Sequence, residues 1–116
     1  MKATINELVE RLMVSQEVEF SRPEKTSKAL IECIKKKYVH VLFKKTGTEL
    51  GFKLNPKYCN YTDADFENLT GKVVLVGALT LNYDKVTCNA VINLDNCEGT
   101  GFLKLVDDEE YDRILE

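Results

Sequence analysis

The sequence predicts an α+β domain. Its expected frame is a mostly antiparallel sheet of about five strands ending in a three-strand meander, with two N-terminal helices and short extra helices packed on it. Three observations carry that reading. Residues 72–106 form the longest apolar, β-favouring run, and turn signals cut it into three pieces of strand length. Residues 4–14 and 24–37 place apolar side chains at helical spacing. Between these regions, alternating residues on either side of Thr46-Gly47-Thr48 describe a hairpin.

In chain order, Thr4-Ile5-Asn6-Glu7 fits a capping box, in which side chains at both ends satisfy backbone donors that the first helical turn leaves free. Ile5, Leu8, Val9, Leu12 and Met13 then share one helical stripe. Glu17 to Phe20 alternates and reads as a short edge strand or a linker. Ser21-Arg22-Pro23-Glu24 reads as a second capping box, with Pro23 where a missing N–H costs nothing. Ala29, Leu30, Cys33 and Ile34 make the buried stripe of its helix, which runs to about Lys37. Val39, Val41 and Phe43 alternate with His40 and Leu42, and Leu50, Phe52 and Leu54 repeat the pattern until Asn55-Pro56 breaks it. Thr62 or Asp63 is expected to cap a short helix, with Phe66 and Leu69 inward and Gly71 as its stop. Val73 to Leu81 is apolar on both faces. After a turn at residues 82–85, Val86, Cys88, Ala90, Ile92 and Leu94 form one core face against Thr87, Asn89, Val91 and Asn93. Phe102 to Val106 is a last strand. Asp107 to Glu110 opens a terminal helix, where carboxylates suit the positive end of the dipole.

A chain of 116 residues is expected to be a single globular domain over residues 1–116, burying roughly 65% of its unfolded surface. An apolar share of 44% and a charged share of 30% exclude the disordered class. With Glu7 and Glu10 inside the first apolar stretch, no secretory leader is expected and the cytoplasm is the default compartment. Cys33, Cys59, Cys88 and Cys97 lack CxxC spacing and a histidine cluster, so free, largely buried thiols are expected in preference to zinc or disulfides. The Asn-x-Thr sequons at Asn60 and Asn68 then go unused. The net charge of −3 hides a division: residues 1–22 sum to −1, 23–62 to +6 and 63–116 to −8.

The strongest site signal is the basic, aromatic segment 35–61. Lys35, Lys36, Lys37, Lys44, Lys45, Lys53 and Lys57 interleave with Tyr38, Phe43, Phe52, Tyr58 and Tyr61. Such a mixture displaces counterions from phosphates and offers ring faces to bases. It is equally a solvated face with helix-end lysines placed for the dipole, and it contains no Arg. The acidic end, DDEEYD, reads first as a well-placed helix N-terminus. Asp63 to Glu67 starts like a calcium loop, but Asn68 stands where glycine is required and Val74 where the bidentate Glu belongs, which excludes it. His40 is the sole histidine and lies in a strand, seven residues after Cys33, with no third group to orient a thiolate–imidazole pair. Gly99 and Gly101 sit between strands with no helix to receive a phosphate. Thr87, Asn89 and Asn93, with Thr80 and Tyr83 adjoining, form a neutral wet face that suits solvent or a small ligand.

The function expected from these residues is that of a small non-catalytic binding protein, of adaptor or inhibitor type. It would act through a charge-segregated surface on a macromolecular partner, a protein foremost. The alternative is a nucleic-acid-binding module using the hairpin 35–61. No cofactor, metal, catalytic residue or membrane segment is expected, and an edge strand at the hairpin or at residues 17–20 offers a route to homo-oligomers.

Overall fold

The computed structural model describes residues 7–115. In chain order they form α1 (Glu7–Leu12), β1 (Gln16–Glu19), α2 (Ser27–Lys36), β2 (Tyr38–Phe43), β3 (Thr48–Leu54) and β4 (Ala64–Asp65). β5 (Thr70–Leu81), β6 (Asp84–Asn93), β7 (Glu98–Leu105) and α3 (Asp108–Leu115) complete the chain. The sheet runs β3-β2-β1-β7-β6-β5-β4, and a further β3–β5 pairing closes six of its strands into an antiparallel barrel. The α+β class stands; the open sheet of about five strands does not. The barrel has no outer edge along most of its circumference.

The meander is present, but its last strand begins at Glu98, so Gly99 and Gly101, expected in a loop before Phe102, pair within it. β5 pairs with β6 from Lys72↔Asn93 to Leu81↔Asp84, and β6 pairs with β7 from Val86↔Leu105 to Ile92↔Gly99. Val86, Cys88, Ala90, Ile92 and Leu94 all face the core. Asn82 and Tyr83 form a two-residue turn with both φ angles positive, the twist that matches right-handed strands. Leu12, Leu30, Phe43, Phe52 and Leu75 join the same buried cluster, so α1 and α2 share the barrel's core.

Three further expectations need correcting. β1 is neither edge strand nor linker: it lies between β2 and β7, with Val18 fully buried, so residues 17–20 offer no free edge to a second copy. The second helix begins at a Thr26 N-cap, whose Oγ1 accepts from Ala29 N–H at 3.1 Å, not at Ser21. Residues 21–25 instead pass through a bend with a cis Arg22–Pro23 peptide. No helix forms over residues 62–71. Asp65 accepts from the backbone N–H groups of Glu67 and Asn68, an alternative that Asp offers the backbone at short range, and β4 pairs with Thr70 and Gly71. The first capping box lies outside the described residues.

Candidate protein-docking face

Two outward rows of the β2–β3 hairpin build the candidate face. With Val39, Val41, Phe43, Leu50, Phe52 and Leu54 turned inward, the strand period sends Tyr38, His40 and Leu42 outward opposite Lys53, Gly51 and Glu49. Gly51 decides the shape of this surface. A Cβ there would lie 2.7 Å from His40 Nε2 and 2.8 Å from Tyr38 Oη, so both side chains lie across the bare backbone. The two rings meet edge to face at 5.4 Å, and Tyr38 is 48% exposed. Beside them Arg22 Nη2 holds Glu49 Oε1 at 2.8 Å. Glycine in a strand marks close approach of another group. Here that group is first the protein's own aromatic pair.

The face borders the place where the barrel is least closed. β3 meets β5 only through Lys53↔Ala78 and Leu54↔Gly77. Leu54 N–H donates to Lys37 O on one side and Asn55 N–H to Val76 O on the other. By that alternation the backbone groups of Glu49 and Gly51 point away from β2, past the last rung shared with β5. The tip of the β5–β6 hairpin ends in Tyr83, which is 99% exposed and has a φ of +73°, a conformation glycine fills more readily.

The seven lysines of 35–57 do not share one surface. Lys35 and Lys36 end α2, Lys37 is its left-handed cap, and Lys53 pairs across from Tyr38; Lys57 follows two residues after Asn55. Lys44 and Lys45 lie at the other end of β2, about 17 Å away at strand rise. Tyr58 is exposed near the first group, whereas Tyr61 is half-buried against Phe66, its hydroxyl pushed up by burial and by Cys59. The basic residues of 35–61 therefore fall into two separate groups.

Lys44 is instead drawn into an ion cluster over β1 and β7. Lys25 Nζ contacts Glu98 at 2.6 Å and Glu19 at 3.2 Å, and Lys44 Nζ lies 3.8–3.9 Å from Glu98, Glu19 and Glu17. The Lys25 hydrogen bond, then the charges of Lys25 and Lys44, hold the Glu98 carboxyl below its ordinary 4.5. Bonds to Glu98 and Glu19 hold Lys25 above 10.5. Glu98 therefore contributes stability above pH 4.5 that is lost as pH falls through its lowered value, while the Lys25 contribution disappears only in strong alkali. Both groups are solvent-exposed, so the effect is small. Glu98→Gln is expected to lower the urea midpoint slightly at neutral pH and to match the parent well below pH 4.5. Equal differences at both pH values would remove this assignment.

The remaining sequence candidates resolve into structure. The Thr/Asn face is largely occupied: α3 lies over β5 and β6 and leaves Thr87 3% exposed; Thr80 and Tyr111 share a 3.0 Å hydroxyl contact, and Asn93 donates to Glu98 O. Strand alternation reports a wet face without knowing that a later helix will cover it. Asp107 caps Glu110 N–H, Asp108 pairs with Lys85 at 2.9 Å and Glu110 faces Lys104, as a helix start requires. Burial raises the Cys33 thiol pKa, and His40 is engaged with Tyr38. All four cysteines are free. Among the described residues no group of three His, Cys, Asp or Glu could hold a metal, and no helix is long and apolar enough to cross a membrane. Gly51, Glu49 and Arg22 were not singled out in the sequence; the glycine inside an alternating strand was the available signal.

The described residues thus form a partly open six-strand barrel with an aromatic face beside the stretch of β3 that β5 leaves unpaired. The family model for the core binding factor beta subunit matches residues 2–114, and the chain belongs to that family. No curated protein matches it. Its class is thus that of a non-enzymatic, protein-binding subunit.

Proposed function

We propose that this chain is the partner subunit of a Runt-domain transcription factor, the kind of protein that members of its family bind. Docking uses the outer face of β2–β3 and the free edge of β3. The observation that carries the reading is the unpaired stretch of β3 next to the Tyr38–His40 pair laid over Gly51. A strand edge supplies main-chain hydrogen bonds to an incoming segment, and rigid aromatic rings supply contact area at low entropic cost. The subunit acts by binding alone, as an adaptor that adds its surface to the factor.

Titration of a Runt-domain polypeptide with the chain tests this. A 1:1 complex with a dissociation constant of about 1 μM or tighter is expected, worth about 8 kcal/mol of binding free energy. No complex at tens of micromolar would end the proposal. The same edge is the one a second copy of the chain would use, so self-association, where present, should compete with the Runt-domain protein.

A further inference from the structure

The basic corner beside the docking face has a chemistry of its own. Lys35 and Lys36 close α2, Lys37 caps it, Lys53 faces Tyr38 across the β2–β3 ladder, and Lys57 sits on the turn that leaves β3. The Leu54 N–H to Lys37 O bond fixes the cap against the end of β3. Among the described residues, the ion pairs of these five lysines reduce to Lys35–Glu32 at 3.9 Å on an exposed helix face. The contrast with Lys25, Lys44 and Lys85, all held by carboxylates, is sharp. Lys37 also has φ +63° and ψ +34°, at a helix stop that glycine or asparagine usually fills.

We propose that this corner, with Lys37, Lys53 and Lys57 at its centre and Tyr38 and Tyr58 beside them, receives a carboxylate-rich polypeptide segment. The proposal rests on the docking reading above and deepens it. A partner strand added along β3 runs past Glu49 and Gly51 toward the point where β5 takes over at Lys53, and that end of the strand meets the lysines. Its carboxylates at alternate positions would fall on the outward face with Lys53. Three observations favour a polypeptide over a nucleic acid. The corner has no Arg for bidentate phosphate contact, its charges cluster instead of forming a track, and residues 63–116 carry a net charge of −8 that repels a polyanion at long range.

The experiment compares the parent chain with Lys37→Glu/Lys53→Glu/Lys57→Glu, its neutral counterpart with Gln at the same positions, and Lys45→Glu at the far end of the hairpin. Far-ultraviolet circular dichroism checks that each is folded, and the Gln variant carries the test where the Glu variant does not fold. In low salt the Glu variant should associate with a Runt-domain polypeptide at least tenfold more slowly. The Gln variant should fall in between and Lys45→Glu should stay within twofold, with the differences collapsing in 0.5 M NaCl, where screening is nearly complete. Unchanged association by the corner variants overturns the inference and leaves the docking reading standing. If the parent chain does not bind a Runt-domain polypeptide at all, the docking reading fails. A labelled octaglutamate peptide then decides the inference: binding to the parent and not to the Glu variant supports it, and no binding overturns it. Tighter binding of a duplex oligonucleotide than of octaglutamate also overturns it.

Discussion

Gly77→Ala should lower the unfolding free energy by about 3 kcal/mol, the range of overpacking against backbone. Gly77 is one of two β5 residues that meet β3, opposite Leu54. A Cβ at this position runs into the Lys53 carbonyl oxygen and comes within 2.5 Å of Phe52 Cδ2. The obstructing oxygen belongs to a strand held on its other side by β2, so no rotamer relieves the clash and the seam must part. Parting it exposes Phe52 and Leu54, both nearly inaccessible in the closed barrel. Against a total stability of about 5–15 kcal/mol, the loss is large. Urea unfolding followed by circular dichroism measures it, and amide exchange at Lys53 and Asn55 should accelerate well ahead of exchange in β6. Gly47→Ala is the control. Gly47 has φ +71° but nothing within 4 Å of a Cβ, so only the left-handed backbone cost of about 1 kcal/mol applies. Equal midpoints for the two variants would show that closure at Gly77 does not limit stability.

Gly51→Val separates binding from folding in the opposite sense. Its Cβ also meets atoms closer than contact distance, but they are His40 Nε2, His40 Cδ2 and Tyr38 Oη, the far ends of side chains that can swing outward. Valine suits a strand, so stability should change by less than about 1 kcal/mol. The aromatic pair, however, can no longer lie across the strand. If that pair anchors the partner, its displacement costs about 2–3 kcal/mol as at an interface hot spot, or about 30- to 150-fold in affinity for a Runt-domain polypeptide. Calorimetric titration and urea unfolding of the same preparation read both numbers. Affinity within threefold of the parent would move the docking site off this face.

The two glycines mark what the sequence could and could not show. The elements with strong local patterns were legible: the meander's inward row Val86 to Leu94, the Val39/Phe52 hairpin, the α2 stripe and the acidic start of α3 all stand where periodicity put them. Elements fixed by partners distant in sequence were not. β1 has four residues and one buried side chain, too little for a period, and its central place comes from pairing with residues 42–43 and 98–101. The helix expected over residues 62–71 had a sound cap and stop, but Asp65 and Asn68 bond to each other and to nearby backbone. For the docking face, Tyr38, Lys37, Lys53 and Lys57 were visible as residue types, and the structure divides them from Lys44 and Lys45. The free edge of β3 was invisible, because an unpaired edge is a property of the closed barrel.

The central position of β1 bears on how the chain is made. Its neighbours are β2, which follows about twenty residues later, and β7, whose pairing residues begin eighty residues on. On a ribosome, α1, β1 and the β2–β3 hairpin emerge with the β7 side of β1 bare until residues 98–101 have been synthesised. At about 5–20 residues per second that interval lasts seconds. During it Glu17 and Glu19, with Lys44 beside them, put charged side chains along the open edge, a placement that disfavours pairing with other chains. The charges that meet Glu98 of β7 in the folded barrel are thus in place along that edge before β7 is made.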